Sequence, residues 1–592
     1  MILKLRKKLI FFAVVLMLIS TSLLIHLGLS MTDMIYNPSK MFVSHSSSNI
    51  IGDILPFGKK HLTKESFYKD LFLALEKFKP PKGPEDKNSL KDKTCDLHDV
   101  SFGSTDPTDG EYLSYAARRK CFRPSEVSTA ELKKSHLGFI KHINRHLTVD
   151  TKSALFNELF PKEAGIVTVG GGKYSILALT MLRALREHGT KLPVEVLIPE
   201  GDIGDIHFCR AIRKWNAECI LLPKALPNTV SKLHDFKSYE TKLAALLLSS
   251  FKDVILIDAD NIPIKPLDDV FESEPYKETG LILWPDIWRR QTAPVFYEIA
   301  DIDIDFRNRI RNSYDDLSPP SRYKNPDVPN DAKYNMAHVP LHDLAGAIPD
   351  LSSESGQLLV NKGKHLSTLL LALYYNYYGE QWFYQMSSLG TSGQGDKETF
   401  IFAAHALKKP YYQVKNPLLF DGYFGDDGSF KGVGLLQHDF TQDYANWKKA
   451  KEYMTENIAH LGTYNSDYNV NQDFKDEMLH HKDFDGVDIM FIHASFHKLI
   501  PWDLYREKIY LDKSGKQFRS FKNLKNINYF DVELFAFEGL QKYICSDDAI
   551  KFEYHTLQVT STESFNAMCA YIDDRVKMLR ETHEEAISSN DK

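Results

Sequence analysis

The sequence predicts an α/β architecture with a mostly parallel sheet, and three observations carry that prediction. From residue 165 onward, aliphatic runs at 166–169, 194–198, 218–222 and 254–257 alternate with amphipathic stretches at 174–188, 206–215 and 239–251. Strands separated by helices in this way specify βαβ units. A glycine turn, Gly170-Gly171-Gly172-Lys173, joins the first run to its helix. Two carboxylates, Asp258 and Asp260, then follow the fourth run, at the edge where ligands gather in open α/β sheets.

In chain order, the amino terminus comes first. Lys4, Arg6, Lys7 and Lys8 precede Leu9 to Leu29, a stretch without Asp, Glu, Lys or Arg. A helix of this length reaches roughly 30 Å, the hydrocarbon thickness of a bilayer. The basic cluster on its amino side orients the remainder away from the cytoplasm. A cleaved signal peptide is the competing reading, but its apolar core spans only about 7–15 residues, so an uncleaved anchor is the expectation. Residues 30–63 are polar and Ser-rich, like a flexible stem. Phe67, Leu71, Leu75 and Phe78 recur at helical spacing before a proline-rich stop at 80–84. Residues 79–94 form a charged linker, and Ser128-x-x-Glu131 is a capping-box pattern ahead of a helix to about residue 147.

The six cysteines fall into three sequence-local couples, so up to three disulfides fit an oxidising lumen, with fifteen connectivities open. No Cys-x-x-Cys is present, hence no zinc or redox motif. The 592-residue chain carries a net charge of −6, which argues against a nucleic-acid-binding protein.

The glycine turn lacks both the Walker A spacing and a third glycine for a dinucleotide fingerprint. It is either a tight βα turn or a place where a nucleotide phosphate approaches closely. Asp258 and Asp260 invite two readings as well. Side chains at i and i+2 of an extended segment share a side, so both can converge on Mg²⁺ or Mn²⁺ with substrate phosphates completing the shell. The other reading is a solvated acidic turn.

Past the acidic pair, 281–284 is a further strand. Residues 301–340, rich in Asp, Asn, Pro and Arg, have the look of a substrate-side loop or lid. Leu358 to Val360 is a short strand, and 366–383 a helix whose tyrosine stripe reads as core in preference to a sugar platform. Gly393-Gln394-Gly395-Asp396-Lys397-Glu398 opens a helix to Leu407. There Asp396 is either an N-cap or an acid facing a reacting sugar, and Glu398 either complements the helix dipole or joins it. A strand at 487–492 ends in His493, which is either a structural histidine or, combined with the two aspartates, the third protein ligand that a hard divalent ion can take. Residues 505–592 mix short strands with a final helix at 564–587.

Five blocks, taken in order, resemble the fungal Golgi α-mannosyltransferases of outer-chain mannan, most nearly the α-1,2-mannosyltransferases that start and extend side branches. They are residues 165–173, Tyr239-Glu240-Thr241-Lys242-Leu243, Leu256-Ile257-Asp258-Ala259-Asp260-Asn261, Glu354-Ser355-Gly356-Gln357 and Gly395-Asp396-Lys397-Glu398-Thr399-Phe400. The likeness covers roughly residues 160–500. It implies a GT-A glycosyltransferase fold, GDP-mannose as donor, Mn²⁺ as cofactor, a mannan or N-glycan acceptor and membership of a Golgi mannosyltransferase complex. On this resemblance Asp258, Asp260 and His493 hold the metal. Gly170, Gly171, Lys242, Asp258 and Gln357 face the donor, and Asp396 and Glu398 are the catalytic acids. The implied organisation is a cytoplasmic tail (1–8), signal-anchor (9–29), stem and linker (30–127), catalytic domain with helical preface (128–504) and a C-terminal extension packed on it (505–592). An α-1,3-mannosyltransferase of the same fold is the alternative. A non-catalytic lumenal carbohydrate-binding subunit and a nucleotide-diphosphate hydrolase are readings of other classes.

Overall fold

Hydrogen-bonded pairings sort the thirteen strands of the described residues into three sheets in the computed structural model. It describes residues 63–104, 106, 108–199, 205–231, 236–237, 239–391 and 393–588, all within the unit Lys60–Lys592. The anchor at 9–29 and most of the stem lie outside the described residues. No helix among the described residues is long and apolar enough to cross a membrane.

The strands are β1 (Lys162–Val169), β2 (Val194–Ile198), β3 (Ala217–Leu221), β4 (Phe251–Ile257), β5 (Asn261–Pro263), β6 (Leu281–Pro285), β7 (Asp305–Arg309), β8 (Leu344–Ala345), β9 (Ser353–Asn361), β10 (Tyr412–Gln413), β11 (Leu419–Phe424), β12 (Phe430–His438) and β13 (Ile489–His493). The main sheet runs β10-β6-β9-β4-β1-β2-β3. Its four expected strands pair in parallel, β4 with β1, β1 with β2 and β2 with β3. The expectation of a mostly parallel sheet needs one correction. β9 enters the middle antiparallel to both β4 and β6, making the sheet mixed. As a result the carboxyl ends of β1, β2, β4 and β6 and the amino end of β9 share one edge.

β11-β12-β13-β5 form a second, antiparallel sheet. Pairing of β13 with β5 sets His493 opposite Asn261, and the Ala494 N–H donates to the Asp260 carbonyl at 3.0 Å. A remote histidine is thus brought beside the acidic turn.

Residues 64–127 differ from the stem and linker expected there. Helix Lys64–Lys77 starts with a capping box in which Thr63 and Ser66 satisfy each other's N–H groups. It buries Phe67, Tyr68, Leu71, Phe72 and Leu75, and the Tyr68 hydroxyl donates to the Leu247 carbonyl at 2.8 Å. Its apolar stripe is long enough to need partners, and it is buried in the main apolar cluster beside helices Glu126–His142 and Ala154–Leu159. Helix Glu126–His142 is capped by Ser125 instead of Ser128. Tyr374, Tyr375 and Tyr378 are core residues, as their helical spacing predicts. Beyond His493 the described residues form helices and loops instead of the expected short strands. Helices Val532–Ile544 and Thr562–Glu581 pack with helix Lys173–Glu187 in one apolar cluster. The cysteine couples close as Cys95–Cys121, Cys209–Cys219 and Cys545–Cys569.

Several histidines are buried in this core as neutral rings. Burial holds His136, His438 and His555 down at about 4. The unfolded chain therefore binds more protons below pH 6.5, and stability falls as pH drops from 6.5 toward 4. Each such ring contributes up to about 1.4 kcal/mol per pH unit in that window. Urea unfolding at stepped pH should show this slope, and His438→Gln should flatten it by close to one proton.

Candidate active site

Side chains from the shared sheet edge line a cleft of about 540 Å³. Gly170 follows β1, Pro199 follows β2, Asp258 follows β4, and Glu354 and Ser355 stand at the start of β9. The acidic pair lies in a turn, closed by the Asn261 N–H donating to the Asp258 carbonyl at 3.0 Å, not in extended backbone. Its carboxylates still converge. Ligand atoms of Asp258, Asp260 and His493 all lie within 4.8 Å of one another. His493 Nε2 is 3.5 Å from Asp260 Oδ1, and its buried Nδ1 has no hydrogen-bond partner. Two carboxylates and an imidazole suit a divalent ion such as Mn²⁺ or Mg²⁺.

The surrounding charges fit the same cation. Lys242, from the first turn of helix Glu240–Leu248, reaches Asp258 Oδ2 at 2.8 Å and Asp396 Oδ2 at 3.4 Å. It also donates to Ser355 Oγ at 3.1 Å. Burial works against its ammonium, but Asp258 and Asp396 outweigh burial and hold it above the ordinary lysine value. Lys397 bridges Asp286 Oδ2 at 2.8 Å and Glu354 Oε2 at 3.2 Å. Glu354 Oε1 accepts from the Ser355 and Gly356 N–H groups at 2.8 and 2.9 Å. Burial disfavours its carboxylate, yet Lys397, His493 and Lys242 hold Glu354 below the usual carboxylate range. Asp286, more weakly compensated, is pushed up by burial. Lys498 pairs with Asp260. Asp258, Asp260, Glu354 and Asp396 thus line the cleft together with Lys242, Lys397 and Lys498. A divalent cation would offset the acidic excess.

The other expected site residues divide. Gly170 lines the cleft, where a Cβ would come within 2.7 Å of Val196. Its N–H donates to the Leu197 carbonyl, and that of Gly171 to Ser175 Oγ. Neither amide is left for a phosphate, so the turn serves close approach only. Gly171 has φ +94°, a conformation suited to glycine. Gln357 is fully buried behind the site and accepts from Asn261 Nδ2. It holds the turn in place and does not line the cleft. Residues 301–340 contribute nothing to the lining; their arginines instead bond Asp343 and nearby carbonyls.

Asp396 is not a cap. The helix begins at Thr399 with Glu398 in the cap position and no side-chain cap bond. Gly395, at φ +108° and against the Tyr239 ring, turns the chain so that Asp396 lines the cleft. Glu398 faces away from it. Its carboxylate pairs with fully buried Arg290 and accepts from the Ser353 N–H at 2.8 Å. The two acids therefore separate experimentally. Asp396→Asn is expected to lower kcat by about 10²–10³ with little change in Tm. Glu398→Gln is expected to cost about 3–5 kcal/mol of stability while the folded fraction keeps its kcat.

Asp286, Glu354, Lys397 and Lys498 were not singled out from the sequence. Asp286 had the same signal as Asp258, an acid directly after an apolar strand. Lys498 gave none: it lies in a loop, and only the β13–β5 pairing brings it to Asp260.

A mixed α/β sheet whose edge gathers an acidic turn, a histidine and lysines defines a glycosyltransferase-type site. The comparisons give the family. The family model described as "Mannosyltransferase putative" matches residues 163–439. The chain is 41% identical over 549 residues to the α-1,2-mannosyltransferase MNN5 of Saccharomyces cerevisiae strain YJM789, covering 90% of this chain and 92% of that one. It is 40% identical over 564 residues to the S. cerevisiae α-1,2-mannosyltransferase MNN2 (93% and 91% covered). Against the Candida albicans α-1,2-mannosyltransferase MNN21 it is 34% identical over 546 residues (89% and 77% covered). The chain belongs to this fungal α-1,2-mannosyltransferase family and is a glycosyltransferase. A solved structure of the galactosyltransferase LgtC overlays weakly, with a TM-score of 0.23 and 10% identity over 42% of this chain and 73% of that one.

Proposed function

We propose that the chain transfers mannose from GDP-mannose, in α-1,2 linkage and with retention of configuration, to the side branches of mannan on N-linked glycans. In this reading it is a GT-A enzyme that works with Mn²⁺, anchored in the Golgi membrane as a type II protein with the cleft in the lumen. The observation that carries it is the convergence of Asp258, Asp260 and His493 beside Lys242, in a chain whose relatives are named α-1,2-mannosyltransferases.

Asp258, Asp260 and His493 would hold the divalent ion, which when bound would neutralise charge developing on the departing diphosphate. Lys242 supplies a preorganised positive charge to the same oxygens, effective because it is largely removed from water. Asp396, joined to Lys242, faces the sugar and acceptor space and orients the attacking hydroxyl. Lys397 keeps Glu354 ionised and fixed at the cleft wall.

The test is an assay with GDP-mannose, Mn²⁺ and defined α-1,6- and α-1,2-linked acceptors, followed by linkage mapping. An α-1,2 product supports the reading. An α-1,3 product replaces the linkage, and GDP release that ignores acceptor replaces transfer with hydrolysis. His493→Ala should shift the Mn²⁺ titration to higher concentration. An unshifted titration would return this histidine to a purely structural role.

A further inference from the structure

The antiparallel sheet ends in a hairpin that the site does not use. β11 and β12 are joined by Gly425-Asp426-Asp427-Gly428-Ser429, flanked by Phe424 and Phe430. Both phenylalanines are exposed, at 74% and 48%, and their ring centroids lie 5.5 Å apart at 63°. Large apolar side chains bunched on one exposed tip mark an interaction surface more strongly than scattered ones.

The tip is built to hold its shape. The Gly425 N–H donates to the Ser429 carbonyl at 2.9 Å, and the Ser429 N–H and hydroxyl both donate to Asp427 Oδ1. Lys431 pairs with Asp427 at 3.3 Å and Lys513 with Asp426 at 3.5 Å. The turn that carries the rings is therefore held in shape before binding, which lowers the ordering cost, on a tip whose two acids are balanced by two lysines.

Register ties the tip to the cleft. β12 pairs with β13 so that Leu435 lies opposite His493. Phe430 therefore stands beyond the His493 end of the sheet, by about 17 Å at ~3.3 Å per residue. Ser495 and Lys498 line the cleft, while His497 between them meets β11. Tyr423 Oη is 3.2 Å from His497 Nε2. The His497 ring packs edge-on against Phe496, centroids 4.4 Å apart, and Phe496 is itself 51% exposed.

We propose that Phe424 and Phe430 form a docking platform for a glycan acceptor chain longer than the cleft, gripping pyranose units remote from the one being extended. This rests on the reading of the cleft as a site that acts on a glycan. The apolar C–H face of a pyranose stacks on an aromatic ring, and its hydroxyls find Asp426 and Asp427 at the edge. A charge-balanced tip with no unpaired lysine suits an uncharged polymer in preference to an anionic surface.

Transfer kinetics on the full chain with a linear α-1,6-mannohexaose and with α-methyl mannoside test the proposal. Phe424→Ala/Phe430→Ala should raise KM for the hexaose about five- to tenfold, from loss of two stacking contacts, with kcat and the short-acceptor KM unchanged. Phe424→Trp/Phe430→Trp should restore the hexaose KM. Equal effects on both acceptors, or none on either, overturn the platform. Phe430→Trp also gives a readout free of turnover: its emission should change saturably with mannohexaose and not with α-methyl mannoside. A response to phosphatidylcholine vesicles alone assigns the tip to a membrane and overturns the proposal. Binding at the tip without any transfer would instead overturn the reading of the cleft and leave the platform standing.

Discussion

Replacing Asp260 or Asp258 with alanine is expected to reduce kcat/KM by about 10³ or more, because each change removes both an ion ligand and the charge that sets its affinity. The folded state should hardly notice. Asp260 faces His493 and the partly exposed Lys498, which can turn to water. Asp258 shares Lys242 with Asp396, which remains as its counter-charge. Removing one acid from a cluster with an acidic excess also relieves repulsion among the others. Thermal unfolding should therefore give a Tm within about 2 °C of the parent, a ΔΔG under ~1 kcal/mol. Activity within tenfold of the parent in either variant would remove the metal role. A collapsed Tm would show that the turn is structural.

Lys242→Met should fail differently, losing stability together with activity. Lys242 is the shared partner of Asp258 and Asp396, and Asp396 is almost fully buried. Removing the lysine leaves a buried carboxylate without compensation, a loss of about 3–5 kcal/mol. Adding Asp396→Asn to the methionine variant removes the stranded charge, and most of the stability should return. Activity should not, because the positive charge facing the diphosphate is still missing. Denaturant midpoints and kcat for the two single variants and the double complete the cycle. If the double is no more stable than Lys242→Met, the pair is not coupled. The lysine's raised folded-state value carries its own pH signature. Its contribution is fully present below the unfolded lysine value near pH 10.4 and is lost only as pH rises through the folded one. Neutral and acidic assays therefore see it undiminished.

How much of this was legible in sequence depends on how local the signal is. The strands before Gly170 and Asp258 are short aliphatic runs bounded by turns, and period and composition reveal these directly. The tyrosine helix was readable as core for the same reason. β9 was read as three residues, 358–360, but spans Ser353–Asn361. Its first half, Ser-Glu-Ser-Gly-Gln, is polar because Glu354 and Ser355 line the site and Gln357 holds the acidic turn behind it, and polar residues hide a strand from a periodicity argument. Missing that half concealed both the antiparallel insertion and Glu354. Asp396 and Glu398 show the same limit more sharply. They are two residues apart in one loop, and no local rule says which enters the cleft. The positive φ at Gly395 and the position of Arg290 decide it. Helix Lys64–Lys77 was legible as a helix, but its burial depends on contacts with segments as far as 303 residues along the chain.

Sequence alone determined the alternating α/β core, the acidic turn after its fourth strand, the histidine at a late strand end and, through five ordered blocks, the family. These are properties of short segments, whose hydrophobic period and turn chemistry act within a few residues. Tertiary structure decided which charged groups meet. The β13–β5 pairing sets His493 and Lys498 beside Asp260. The inserted β9 puts Glu354 on the edge that carries Asp258, and burial against Arg290 withdraws Glu398 from it. Electrostatic contacts form through space across hundreds of residues, so only the folded chain reveals which carboxylate is paired for stability and which is left facing the substrate.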